Sequence, residues 1–217
     1  MNTLTSQITI MFKQFVIALL ICFSTTLNGQ ITVYASTGVN VSNLTFNLGS
    51  ESDLIFRNEP FVQPFFTLGT AIPISEKIVW FNELSYSPSG YQTKADTFPN
   101  PSFKVKYNLI NLQSALGYQL GSVRLELGGF AGTSLSVKSK INDRDWRENI
   151  NILEDVNLGV FAGLNLSVVK NIGLFLRYYK GISPVSKLTL TDINGDDAGF
   201  LTEKINNVQL GVTVSLF

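Results

Sequence analysis

The chain contains no histidine. That absence excludes Ser-His-Asp and Cys-His nucleophile activation and makes a zinc site an unpromising reading. Cysteine occurs once, at Cys22, so no intramolecular disulfide can form. Charge is scarce too. Only 15% of the 217 residues are charged and the formal net charge is zero, against about 25% charged residues in an ordinary soluble domain. With no basic run, the electrostatic footprint of a nucleic-acid binder is missing. Heptads, a long amphipathic helix and low-complexity tracts are likewise absent. What the chain has in quantity is glycine (17) and phenylalanine (16), a pairing that suits barrels better than helical proteins.

The clearest local pattern lies between Asp155 and Tyr179. Val156, Leu158, Val160, Ala162, Leu164, Leu166 and Val168 alternate with Asn157, Gly159, Phe161, Gly163, Asn165 and Ser167. After Val169-Lys170-Asn171 the alternation resumes, with Ile172, Leu174, Leu176 and Tyr178 opposite Gly173, Phe175, Arg177 and Tyr179. Successive side chains of a strand point to opposite faces, so this predicts a hairpin with one apolar and one polar face. The polar face is made of Gly, Asn and Ser rather than the Lys and Glu of a water-facing sheet. An apolar face toward lipid and a small polar face toward a crowded interior is the pattern of a transmembrane β-barrel.

The same alternation predicts six further strands, at Ile31–Ser42, Phe65–Ile72, Ile78–Tyr86, Tyr107–Gln119, Val123–Val137 and Asn207–Phe217. Pro64 cannot donate a ladder hydrogen bond and marks an irregular beginning or a bulge. The connections alternate long and short, and the apolar faces carry no Asp, Glu, Lys or Arg. A lipid-facing Arg or Lys near mid-membrane costs roughly 2–4 kcal/mol. The expected fold is therefore all-β, an eight-stranded antiparallel transmembrane barrel of up-and-down meander topology, with short periplasmic turns and long extracellular loops. The competing fold is a soluble lipocalin-like barrel whose apolar face points inward around a hydrophobic ligand.

Before the strands, residues Phe12 to Phe23 form a short apolar run behind Lys13, followed by small and polar residues to Gln30. This describes a secretory signal peptide, too short to span a membrane, which takes about 20 apolar residues. The reading assigns 1–29 to the signal, with cleavage after Gly29 and translation starting at Met11, and 30–217 to the barrel domain. Ile21 before Cys22 disfavours a lipidation site, where a small residue is expected.

Glu83, Arg124, Glu126 and Arg177 fall on the inward face, two acids with two arginines. An eight-stranded barrel is just wide enough to be filled by side chains, so the four are expected to form a polar plug, with a conduit or proton site as the alternative. In the predicted loops, Asp192, Asp196 and Asp197 cluster about Gly195 but do not follow EF-hand spacing. A solvated loop tip is expected there, with no metal and no cofactor. Trp146 stands amid charges, as a partner contact or an interfacial anchor. Trp80 and Tyr118, with Tyr86 and Tyr178 at the opposite strand ends, predict aromatic girdles.

Several stretches carry a resemblance. Gly38-Val39-Asn40-Val41-Ser42-Asn43-Leu44, Gly128-Gly129-Phe130-Ala131-Gly132, Asn157-Leu158-Gly159-Val160-Phe161-Ala162-Gly163 and Leu176-Arg177-Tyr178-Tyr179-Lys180-Gly181-Ile182 are similar to strands of the PorT-like outer-membrane β-barrel family of the Bacteroidetes. The resemblance extends across essentially the whole mature chain through fold motifs rather than catalytic signatures. It implies Sec export, insertion by the barrel assembly machinery with Phe217 as the C-terminal signal, and contact with outer-membrane lipid and lipopolysaccharide. Phe217 is one step out of phase with Val212, Val214 and Leu216. The family member that gives the name is implicated in type IX secretion and gliding, so an accessory role in such a complex is one expectation. A non-enzymatic barrel that binds an unidentified protein partner through its outer loops, or supports envelope integrity, is the other. A lipid-modifying membrane enzyme would need a Ser/Asp or Tyr mechanism, and no converging set is visible.

Overall fold

The computed structural model describes residues 31–48, 59–93, 102–142, 144–148, 156–191 and 197–216. The predicted signal peptide, Asp192, Asp196 and Phe217 lie outside them. Eleven strands follow one another: β1 Thr32–Leu48, β2 Glu59–Pro73, β3 Ile78–Tyr86, β4 Ser89–Thr93, β5 Phe103–Leu120, β6 Val123–Ile141, β7 Arg147–Glu148, β8 Asn157–Val169, β9 Ile172–Gly181, β10 Ser186–Thr191 and β11 Asp197–Ser215. Every pairing is antiparallel, and β1-β2-β3-β5-β6-β8-β9-β11 form a ring closed by the β11–β1 ladder. Closure removes the unpaired edges that an open sheet would expose. The three short connections and both ends of the described barrel meet at one end, called here the turn end. The four long connections leave from the other, the loop end, where β4, β7 and β10 add short pairings to β5, β6 and β11.

The apolar face points outward. Leu112 is 63% exposed and Leu127 69%, with Leu84, Leu116, Leu158, Leu164, Leu176 and Leu210 also exposed around the ring. A lipocalin-like barrel would bury these residues, so that alternative is overturned: the continuous apolar face is the exterior, and the interior mixes polar and charged groups with aromatic and aliphatic side chains. Such a belt is stable only against hydrocarbon, and the hydrogen-bonded ring satisfies the backbone without water. The belt has a polar interruption in Asn82 and Ser114, which pair across the β3–β5 ladder. The Trp80 indole N–H donates to the Ser114 hydroxyl over 2.8 Å, so that hydroxyl has a partner within the wall. Ile72, on the outward parity, is nonetheless buried, opposite Trp80 in the ladder.

At the loop end the strands outrun their predicted limits. β1 continues to Leu48 and β11 starts at Asp197, and they remain paired up to Leu48↔Leu201. Above the lipid there is no need for an outward apolar face, so the outward positions turn polar (Asn43 on β1, Asn206 and Lys204 on β11) while the ladder goes on. β2 likewise passes through Pro64, opposite Val39, to Glu59. Its pairing with β3 ends at Phe66↔Tyr86 and that with β4 begins at Pro60↔Tyr91. Pro64 thus occupies the interval between two partners, where a missing N–H is tolerated. A register shift opposite Asn108/Leu109 makes a bulge at Leu135 and reverses the parity of β6 above it. Val137, expected outside, is therefore fully buried, and Lys138 and Lys140 turn outward. At the turn end the tight reversal places Gly121 at φ 62°, a left-handed conformation that glycine adopts without steric cost.

Candidate functional site: the charged plug of the barrel

The ring geometry places β3 and β9 on opposite walls, with β6 between them. Inward side chains of these strands meet at one level. Arg177 of β9 holds both oxygens of Glu83 on β3, Nη1 to Oε2 at 2.6 Å and Nη2 to Oε1 at 2.8 Å. Its Nε donates to Oε2 of Glu126 on β6 at 2.7 Å. The second oxygen of Glu126 accepts from Arg124, Nε at 3.0 Å and Nη2 at 2.8 Å. All four residues predicted for the plug are thus in one connected network. Glu83, Glu126 and Arg177 are 2%, 3% and 4% exposed, so each charge has lost its water and is compensated by a partner at hydrogen-bond distance.

Residues not anticipated from the sequence complete the layer. Tyr34 of β1 donates its hydroxyl to Glu83 Oε1 at 2.5 Å, and Tyr179 donates to Gln113 Oε1 at 2.9 Å. Aromatic rings close the space around the ions. The Arg124 guanidinium lies 4.2 Å from the centre of the Phe81 ring, and that of Arg177 lies 5.0 Å and 5.3 Å from Phe175 and Phe161. Phe161 stacks on Tyr179 with centroids 4.9 Å apart. The inward parity of Phe81, Phe130, Phe161 and Phe175 is visible in the sequence; their role as packing for an ion network is not.

Glycine makes room for these large groups. A Cβ on Gly163 would stand 2.6 Å from Arg177 Cγ and 3.0 Å from the Leu176 carbonyl oxygen. The Gly163→Ala variant is therefore expected to lose about 1–3 kcal/mol through overpacking. Urea unfolding of the refolded barrel in lipid vesicles checks this. The same substitution at Gly129, where the atom nearest to the added methyl would be 3.5 Å away, should be silent by comparison.

Nearer the loop end lies a second buried acid, at a position the alternation pattern assigns to a loop. Glu203 of β11 accepts hydrogen bonds from the hydroxyls of Tyr91 (3.3 Å), Ser186 (2.9 Å) and Tyr107. Burial, and then the adjoining carboxylate, pushes the Tyr91 phenol far above its usual range, so it stays a donor. Val105, Leu109, Val137, Val185 and Ile205 pack around these groups. Glu203 keeps the parity of Ile205, Asn207, Gln209 and Gly211, and extending the predicted strand by four residues, from Asn207 to Glu203, would have located it. Between the two acid layers Asn40 donates to the Pro88 carbonyl at 2.6 Å, Asn207 to Ser89 at 2.8 Å and Gln209 to Ser87 at 2.8 Å.

Of the loop residues, Trp146 is exposed and immediately precedes β7; the structure brings it to none of the interior groups. Asp197 opens β11. Among the described residues no cluster of three or more His, Cys, Asp or Glu side chains is arranged to hold a metal. At the turn end a cavity of about 250 Å³ opens below the plug, lined by Tyr34, Phe81, Arg124, Asn165, Lys170 and Thr213 among others.

No protein-family model matches the chain, and no curated protein matches it. Solved structures similar to it include small outer-membrane β-barrel proteins. Neisserial surface protein A (NspA) is 12% identical with a TM-score of 0.46, the match covering 87% of this chain and 100% of that one. Ail, the attachment invasion locus protein of Yersinia pestis, in complex with the heparin analogue sucrose octasulfate, is 14% identical with a TM-score of 0.47, over 87% and 100% of the two chains. The outer membrane protein OprG from Pseudomonas aeruginosa is 8% identical with a TM-score of 0.45, over 86% and 95%.

Proposed function

We propose that the chain is a non-enzymatic integral protein of a Gram-negative outer membrane, exported through the Sec pathway, with its turn end in the periplasm and its loop end outside. The barrel is sealed, and the work is done at the loop end, by binding a partner or by supporting envelope integrity. The observation that carries this reading is the Glu83–Arg177–Glu126 bridge between opposite walls, within a lumen already filled by aromatic rings. A solute pore has no space at that level, so the parts free to act are the surfaces.

Isolated outer membranes should yield a band whose mobility changes between boiled and unboiled samples on a detergent gel. Removing Asp143 to Glu148 should then abolish partner binding and leave that shift intact. A soluble chain with no shift would sink the reading. The similarity of its strands to the PorT-like family favours a second role, as an accessory of a secretion or gliding complex, and the turn-end cavity gives that role a periplasmic surface. In that case secreted proteins accumulate in the periplasm of a knockout, and deletion of the outer loops is harmless.

A further inference from the structure

Four lysines meet on the outer surface of the wall at the loop end. Lys104 and Lys106 are outward residues of β5, and their ladder partners on β6 are Lys140 and Lys138. Like charges directly opposite one another across a ladder repel and destabilise the pair of strands. None of the four is in an ion pair among the described residues. Glu148 of β7 is opposite Lys138 but does not come within ion-pair distance of it. On the other side, Lys106 faces Gly90 and Lys104 faces Gln92 of β4, so nothing acidic answers them there. The arrangement depends on the bulge at Leu135, because without the parity change Lys138 and Lys140 would point into the barrel.

The height of this group is fixed by the residues below it. The Tyr86 hydroxyl donates to Asn108 Oδ1 at 3.0 Å, and the Asn108 amide donates to Ser136 Oγ at 2.8 Å. This polar seam tops the apolar belt of Ile110, Leu112 and Leu84. Lys106 and Lys138 come two residues beyond it, about 7 Å along the strand at roughly 3.4 Å per residue. Headgroup phosphates lie in that zone, directly above an acyl-chain boundary.

We propose that Lys104, Lys106, Lys138 and Lys140 form a binding site for the phosphate groups of an anionic lipid of the outer leaflet. Its acyl chains lie on the wall beneath, against Leu112 and the exposed Leu135. Ammonium groups bind phosphate as compact point charges, and two rows of two lysines provide for a lipid bearing more than one phosphate. The bound anion offsets the repulsion that the bare ladder carries. This site rests on the proposed orientation, with the loop end outside.

The test uses the mature chain refolded in detergent, with diphosphoryl lipid A as the probe and native mass spectrometry as the readout of bound lipid. Lys104→Gln/Lys106→Gln/Lys138→Gln/Lys140→Gln should weaken binding at least 10-fold and flatten its salt dependence. Lys180→Gln, on another wall, should leave it unchanged. Monophosphoryl lipid A should bind more weakly than the diphosphoryl form. In lipid-free detergent the quadruple variant should melt no lower than the parent, since it removes only repulsion, and lipid A should raise the melting temperature of the parent alone. Equal binding by parent and quadruple variant would overturn the site. Inorganic pyrophosphate binding as tightly as lipid A would overturn the lipid assignment. Either failure in a heat-modifiable membrane barrel leaves the proposed function standing, whereas a chain recovered as a soluble protein removes both.

Discussion

Arg177→Ala is expected to cost roughly 3–5 kcal/mol of barrel stability, the usual penalty for stripping one partner from a buried ion network. The substitution removes three donors at once and leaves the carboxylates of Glu83 and Glu126 in a space closed by Phe161 and Phe175. Arg124 still serves Glu126, but Glu83 keeps only the Tyr34 hydroxyl. Lysine should not rescue, since a single ammonium cannot reproduce a two-point grip on Glu83 together with a third contact to Glu126. Removing the charges together is a different matter. Arg177→Met with Glu83→Gln leaves Glu126 paired to Arg124, so no ion is orphaned and most of the loss should be recovered, because buried ion networks exchanged for neutral groups are often close to neutral in stability. Urea titrations of the three variants, refolded into vesicles of one lipid, check this ordering. An Arg177→Ala barrel as stable as the parent would mean that the network does not hold the barrel together.

Leu112→Arg should be nearly as damaging, at roughly 2–4 kcal/mol in a bilayer, from one cation placed at mid-belt. Leu112 is 63% exposed and touches no part of the interior, so in water the same change would be neutral or would improve solubility. The contrast is the measurement: unfolding in vesicles beside unfolding in a short-chain detergent that lets water approach the wall. The penalty should shrink steeply in the detergent. Lys180→Leu, two residues above Tyr178 on β9, provides the opposite control and should be almost silent in both.

The strands that face lipid were legible because hydrocarbon punishes the wrong residue, and that penalty writes a period of two into the sequence. β3 begins and ends where its alternation does, at Ile78 and Tyr86. The inward positions of Glu83, Arg124, Glu126 and Arg177 followed from the same parity, and the structure gathers all four. Legibility fails where the solvent changes. Between Asp197 and Asn206 both faces are compatible with water or with a polar interior, so the first half of β11 reads as loop, and Glu203 was lost with it. The bulge at Leu135 defeats the period for another reason: one extra residue reverses the parity, and nothing in Ser134-Leu135-Ser136 marks which of them is extra. Tyr34 and Gln113 were recognisable as inward residues. Their partners were not, because who meets whom across a lumen depends on strand tilt and register, which alternation does not encode.

The ladder between β1 and β11 runs from Tyr34↔Ser215 to Leu48↔Leu201, joining the first strand of the chain to the last. Every other barrel ladder links neighbours in sequence and can zip locally once its turn has formed; this one waits for the whole chain. Loop-closure entropy must be met before such a contact rewards it, so ring closure is the slow, late event of assembly. Until then β1 and β9 each present a bare edge, the kind of surface on which strands of other molecules add. A chain released before β11 is made therefore has two templates for aggregation, and nothing within itself to cover them.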